Sequence, residues 1–364
     1  MKITLFISAL SGGGAERVSC NLANYLSDRG HEVEILTMGD TASAEPLRDK
    51  IRYYPLLSRE QTHGGRIKKL LGNVKRILRL RRYMKTKAVD AYVVMLPIPT
   101  QLMLRFSRLT KAPIITSERI DPKIYAPRTQ KGLRRLICRA AGVVFQTEEA
   151  QEWYLPYLRG IRRRIIPNAI NPVFIRPPYE GEREKTVVGA GRFSLQKNFS
   201  LLIRAFAAIA PSFPEHKLVI YGQGKLLESY RALAQELGIV DRVEFPGFCT
   251  DMPERLEKAS MFVLSSDYEG MPNALMEAMA SGLPCVSTDC GGGGARFLIK
   301  DGENGLLVPQ RDEEKMAEAM RKILSDAEFA EKLSQKAREV QNDLAPEKIY
   351  GEWEAFISKK AEEK

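Results

Sequence analysis

The chain is poor in the residues that build metal centres and disulfide frameworks. Its 364 residues include five cysteines (Cys20, Cys138, Cys249, Cys285, Cys290), none in a CxxC pair, and three histidines (His31, His63, His216), none near another. A dedicated zinc or iron site has little to draw on, so the expectation is a reduced, intracellular protein with no metal. Long apolar runs are also missing. No stretch approaches the roughly 20 apolar residues of a spanning helix. The N-terminal run KITLFIS gives way after Leu10 to a glycine loop, which reads as a first strand rather than a signal peptide. Acid is scarce in one half only. Residues 1–170 carry 31 Lys and Arg against 14 Asp and Glu, a balance of +17, whereas residues 171–364 carry 25 against 31, or −6. Such a split predicts that one domain meets a polyanionic surface and the other does not.

What is present is apolar content of 44%, enough for sizeable cores, in a chain long enough for two domains. Short apolar runs at 2–8, 32–37, 51–56, 90–96, 113–117, 142–146 and 164–166 alternate with helix-like spacing. Alternation of that kind predicts parallel strands joined by helical crossovers, an α/β doubly wound sheet. The pattern lapses over 167–186, where Pro167, Pro172, Pro177 and Pro178 deny both helix and central strand, so a linker is expected there. It then restarts with TVVGAG (186–191), KLVIYG (217–222), RVEFPG (242–247), MFVLSS (261–266) and PCVST (284–288). The expected domains are 1–170 and 171–345, followed over 346–364 by a helix returning towards the first. Ligands of such folds bind beyond the carboxyl ends of the strands.

Three segments carry candidate chemistry. After the first strand, Gly12-Gly13-Gly14 precedes a helix, where glycine amides and a helix start can meet an anion, although a tight turn explains the same residues. In the second half, Arg192 and Lys197 flank a strand-to-helix loop and can aim a guanidinium and an ammonium at one diphosphate; two solvated cations are the plainer account. Glu269-Gly270-Met271-Pro272-Asn273-Ala274 then leads into a helix bearing Glu277. Its first amides form an anion-binding terminus, and the two carboxylates can accept hydroxyls of a sugar and a ribose. Ordinary capping with a surface carboxylate is the alternative.

Glu269 and Glu277, separated by seven residues, stand with GAGRFSLQKN, YGQG and EFPGF before them and MASGLPCVSTDCGG and DGENGLLVP after. With SGGGAERV and PNAINP in the first half, this arrangement resembles the retaining nucleotide-sugar glycosyltransferases of family 4, in order from about Ser11 to Pro309. The resemblance implies a GT-B fold, two Rossmann-like domains facing across a cleft, and a metal-independent hexosyltransferase whose only co-substrate is a nucleotide sugar. It implies that Arg192 and Lys197 grip the donor diphosphate, Glu269 holds donor-sugar hydroxyls and Glu277 the ribose. Backbone at Met271, Asn273 and Ala274 would meet sugar and phosphates, Phe248 would border the base, and Gly13 and Gly14 would complete the phosphate site. UDP carrying an N-acetylhexosamine or hexose is the implied donor, and a lipid-linked or polysaccharide acceptor of bacterial-type surface glycan assembly the implied partner. Front-face attack and a covalent intermediate on Glu269 both stay open. Many relatives carry a histidine beside the glutamate after the strand APIITS; here the segment is Ser117-Glu118-Arg119-Ile120-Asp121-Pro122. Arg119 as a substitute donor, Glu118 and Asp121 as orienters of the acceptor hydroxyl, and a plain charged loop are open alternatives. The glycine run 291–294 suggests mobility, and Cys285 and Cys290 read as buried structural thiols.

Residues 65–87 hold ten Lys and Arg and no acid, with Ile67, Leu70, Leu71, Val74, Ile77 and Leu78 at helical spacing. That stripe either packs on its own sheet or faces anionic lipid, where each cation near the surface contributes about 1 kcal/mol. RTQKGLRRLICR (128–139) and RGIRRR (159–164) add cations to the same half, so peripheral attachment at the inner face of the plasma membrane is expected. Nucleic acid is not, because the clusters lack interleaved aromatic platforms. A GT-B epimerase or phosphorylase, or a non-catalytic protein binding anionic membrane or nucleic acid, is the alternative.

Overall fold

The computed structural model describes residues 1–41, 43, 46–58 and 66–362, and the side chains among these apart from 66–69 and 360–362. His63 and Gly65 lie outside the described residues. The chain divides into two compact units, Met1–Ala169 with Glu347–Lys364, and Ile170–Pro346.

The first unit is built on seven strands: β1 (Lys2–Ile7), β2 (Glu32–Thr37), β3 (Arg52–Pro55), β4 (Ala91–Met95), β5 (Ile114–Ser117), β6 (Gly142–Phe145) and β7 (Arg162–Ile165). Every pairing is parallel, in the order β3-β2-β1-β4-β5-β6-β7. Its helices are α1 (Gly14–Asp28), α2 (Arg66–Thr86), α3 (Pro97–Arg105), α4 (Pro127–Leu136) and α5 (Glu148–Tyr154). Strands β1, β4, β5 and β6 are buried on both sides because helices cover both faces of a parallel sheet. Residues from α2, α3, α4 and α5 share one buried cluster with Phe6, Leu36, Tyr92, Val94, Ile114 and Phe145.

The second unit carries β8 (Thr186–Ala190), β9 (Lys217–Tyr221), β10 (Val243–Gly247), β11 (Met261–Leu264), β12 (Cys285–Thr288) and β13 (Leu306–Val308). They are parallel in the order β10-β9-β8-β11-β12-β13. Helices α6 (Phe199–Ile209), α7 (Leu227–Glu236), α8 (Met252–Lys258), α9 (Asn273–Ala280), α10 (Gly294–Leu298), α11 (Glu313–Ser325), α12 (Ala327–Ala337) and α13 (Val340–Asp343) follow in order. Both sheets reverse direction once, at β1/β4 and at β8/β11, and such switch points gather loops at the carboxyl edge.

Several expectations change. The short β13 lies beyond the strands read from the sequence, being three residues in a polar setting, and β7 begins two residues early, on three consecutive arginines. The proline-rich linker is not loose: Arg183 donates to the carbonyls of Glu257, Ala259 and Gly282, and the carbonyl of Arg176 accepts from Arg338 and Gln341. The last helix, expected over 346–364, is α14 (Pro346–Glu362) and groups with the first unit. There Ile349, Tyr350, Trp353, Phe356 and Ile357 are buried, Glu354 pairs with His31 at 2.9 Å, and Arg162 lies 3.9 Å over the Phe356 ring. The two readings of the basic segment are separated on α2. Leu80, Tyr83 and Met84 enter the core, whereas Leu70, Leu71, Val74 and Leu78 are turned outward and Ile77 is half-buried. The stripe read from the sequence therefore does not pack on the sheet; Ile67 is outside the described side chains.

Candidate active site

In the second unit, β8 leads into Gly191-Arg192-Phe193. Gly191 adopts φ +153°, and a Cβ there would come within 2.8 Å of Lys197 Cε, so this glycine makes room for the lysine stem to fold over the backbone. Asn198, left-handed at φ 42°, then opens α6. Asparagine tolerates that conformation better than other non-glycine residues. The hydroxyl of Ser265, just past β11, donates to the Lys197 carbonyl at 2.9 Å, and Gln196 donates to the Tyr268 carbonyl at 3.0 Å. The loops after β8 and β11 are thus tied together at the switch point.

These ties bring Lys197 Nζ to 2.6 Å from Glu269 Oε1, across 72 residues of sequence. The same oxygen accepts from the Ser266 hydroxyl at 2.8 Å, and the Glu269 amide donates to the Gly291 carbonyl at 2.8 Å. Both side chains are largely buried, with exposures of 16% for Lys197 and 10% for Glu269. Glu269 Oε2 makes no hydrogen bond among the described residues. The carboxylate is therefore oriented through one oxygen and keeps the other as an acceptor. A second tie, from Asn198 Nδ2 to Asp267 Oδ1 at 3.0 Å, is backed by Arg311 on the other Asp267 oxygen at 2.8 Å. Ser266 and Asp267 escaped sequence reading, since a serine three residues before a glutamate carries no distinctive spacing.

Arg192 sits apart from this pair: its side chain is exposed and makes no ion pair among the described residues. Met271 is buried; Asn273, Ala274 and Glu277 are half-buried. Pro272 occupies the N-cap of α9 with no side-chain cap, and Glu277 falls in the second turn rather than at the helix start. Phe248 is 77% exposed, a free ring beside the ends of β9 and β10. The glycine run 291–294 is not a slack loop. Gly292 and Gly294 are buried, and a Cβ on Gly294 would lie 1.8 Å from the Gly270 carbonyl oxygen, so glycine allows α10 to clamp the Glu269–Pro272 loop. Cys285 and Cys290 are buried, and burial pushes the Cys290 thiol up to about 12.

The first unit holds the remaining candidates at its own carboxyl edge. The Gly13 amide donates to Glu16 Oε2 at 3.0 Å, so the chain's own carboxylate occupies it, and Gly14 begins α1. Glu118 turns its carboxylate inward. It is buried, with one oxygen taking the Tyr125 hydroxyl (2.5 Å) and the Arg119 amide (3.0 Å) and the other the Tyr154 hydroxyl (2.6 Å). Burial raises its pKa against those donors. Arg119 is also buried, donating to Asn168 Oδ1 and, at 3.4 Å, to Ser117, while its Nε has no partner among the described residues. Burial lowers its pKa to about 10, which leaves it charged at neutral pH. Asp121 turns its side chain to the Lys123 amide at 2.9 Å as a helix cap.

Comparison with known proteins fits this geometry. The model described as "Glycosyl transferases group 1" matches residues 174–340, and the one described as "Glycosyltransferase Family 4" matches residues 12–174. The chain is 28% identical over 363 residues to GalNAc-alpha-(1->4)-GalNAc-alpha-(1->3)-diNAcBac-PP-undecaprenol alpha-1,4-N-acetyl-D-galactosaminyltransferase of Campylobacter jejuni, covering 98% of each chain. It is 27% identical over 354 residues to the lipopolysaccharide core biosynthesis glycosyltransferase LpsE of Rhizobium meliloti, covering 93% of each. Among solved structures, Anabaena Alr3699/HepE in complex with UDP superposes with a TM-score of 0.82 at 18% identity, over 99% of this chain and 100% of that one. Two parallel sheets of like order, a tethered Lys–Glu pair at the switch point of the second, and family models that together take in residues 12–340 make this chain a glycosyltransferase of GT-B fold.

Proposed function

We propose that the enzyme transfers an N-acetylhexosamine or hexose from a UDP-sugar, with retention and without a metal ion, to a lipid-linked or polysaccharide acceptor in bacterial surface glycan assembly. The observation that carries this reading is the Lys197–Glu269 pair: a cation for the departing diphosphate beside a carboxylate with one oxygen still able to accept sugar hydroxyls. Preorganised charge where negative charge develops is the largest lever available to such a transfer. Arg192 adds an exposed guanidinium to the diphosphate, the start of α9 after its N-cap Pro272 adds backbone donors, Glu277 takes the ribose and Phe248 stacks on the base. The acceptor class is supported by the Campylobacter and Rhizobium relatives, whose names specify an undecaprenol diphosphate glycan and a lipopolysaccharide core. An acceptor of that kind places the enzyme peripherally at the inner face of the plasma membrane, although no described helix is long and apolar enough to cross it.

Calorimetric titration of the purified enzyme with UDP, GDP and ADP in excess chelator tests the donor half. Tight binding of UDP alone, without metal, is the expected result. Preference for GDP or ADP reassigns the base, a requirement for added metal overturns metal independence, and no binding at all removes the donor site.

A further inference from the structure

Helix α2 is anchored from one side. Leu80, Tyr83 and Met84 are buried, Arg76 donates to the Met38 carbonyl and Arg79 to the Leu56 carbonyl, each at 2.9 Å. On the opposite side Leu70, Leu71, Val74 and Leu78 are 65%, 56%, 49% and 57% exposed. At helical spacing these four fall within roughly 100° of arc and along about 12 Å of axis. Lys75, Arg82 and Lys85 border the same arc or continue it by two turns; they make no ion pair among the described residues, and the segment 65–87 contains no acid. An outward aliphatic face rimmed by unpaired cations is unsuited to water and complementary to an interface with apolar depth and negative heads.

We propose that this outward face of α2 seats in the headgroup region of an anionic bilayer, with Leu70, Leu71, Val74 and Leu78 entering the acyl boundary and Lys75, Arg82 and Lys85 meeting lipid phosphates. The inference rests on the reading of an enzyme that works at a membrane, and deepens it by naming the face and by requiring insertion rather than electrostatic adsorption alone. Adsorption by charge is screened by salt, whereas burial of leucine is not.

Cosedimentation with vesicles of phosphatidylcholine and phosphatidylglycerol in equal parts separates the two contributions. The wild-type protein is expected to stay bound in half-molar sodium chloride. Leu71→Ser with Leu78→Ser should lower that salt-resistant partitioning by about tenfold or more, and Lys75→Gln with Arg82→Gln should lower low-salt binding by about tenfold. Val74→Trp should be quenched by phosphatidylcholine brominated along its acyl chains. All these positions are exposed, so unchanged melting curves are expected to accompany the losses. Leucine variants that partition like the wild type, absence of acyl-chain quenching, binding abolished by salt, or preferential binding of RNA over vesicles would each overturn the proposal. So would a wild-type dimer in sedimentation velocity that the leucine variant dissociates, because a second copy would then own the face. UDP titration of the same samples keeps the two readings apart: vesicle insertion without UDP binding upholds this inference while removing the donor site, and the leucine variants should bind UDP as the wild type does.

Discussion

Lys197 and Arg192 are both cations near one strand end, yet the structure gives them opposite energetics. Lys197 neutralises a Glu269 carboxylate that is itself mostly out of water. Removing one partner of a buried pair leaves the other uncompensated, at a cost of about 3 kcal/mol. Lys197→Met should therefore lower unfolding stability by about that amount in urea titrations and reduce turnover by about 100-fold or more through loss of charge stabilisation. Arg192→Gln removes an exposed side chain with no ion-pair partner among the described residues, so its unfolding stability should stay within about 0.5 kcal/mol of the wild type. UDP affinity, measured by calorimetry, should nevertheless fall. Equal stability losses in the two variants would refute this division. The identity of these residues was legible from their neighbours in sequence, but their pairing was not: 72 residues separate Lys197 from Glu269, and Ser266 joins them only through the loop geometry. The role of Glu118 stayed open for the same reason. Nothing in SERIDP shows that Tyr125 and Tyr154 will close over its carboxylate.

At the scale of elements, glycine acts through contact as much as through freedom. The run 291–294 suggests slack, yet Gly294 lies against the Gly270 carbonyl and the Glu269 amide bonds to Gly291, so α10 and the loop before α9 are held together. Gly294→Ala forces atoms 1.8 Å apart to separate. Overpacking of this kind costs about 1–3 kcal/mol. The variant should lose stability in denaturant titrations and, because the displaced loop carries Glu269, lose turnover more than the shift in unfolding accounts for; unchanged turnover would show that the clamp is dispensable. Strands β1, β4, β5, β6, β8, β9, β11 and β12 were legible as apolar runs because both faces of a parallel sheet are covered. The short β13 was not, being too brief to show a period, and of β7 only the end was, because its arginines stand at a sheet edge where charge is tolerated.

For the molecule as a whole, the chain leaves its first unit, completes a second and returns. Helix α14 buries Trp353, Phe356 and Ile357 in the first unit, although 177 residues of the second, Ile170–Pro346, separate it from Ala169. Ending the chain before Pro346 removes those side chains from one core only. Loss of a buried tryptophan alone costs about 3–5 kcal/mol. Calorimetric unfolding of the truncated chain should show an early transition belonging to the first unit and a second-unit transition unchanged from the full chain. A uniform shift of both would mean that the units unfold as one. The sequence by itself determined two successive α/β units, the charge asymmetry between them and the residue types at the second unit's switch point, because strand and helix periods and glycine punctuation are local properties. Only the tertiary structure decided which face of α2 turns outward, which carboxylate is enclosed by tyrosines and which lysine meets Glu269. Each of those outcomes depends on contacts between residues far apart in the chain, where packing selects among faces and partners that the local pattern leaves equal.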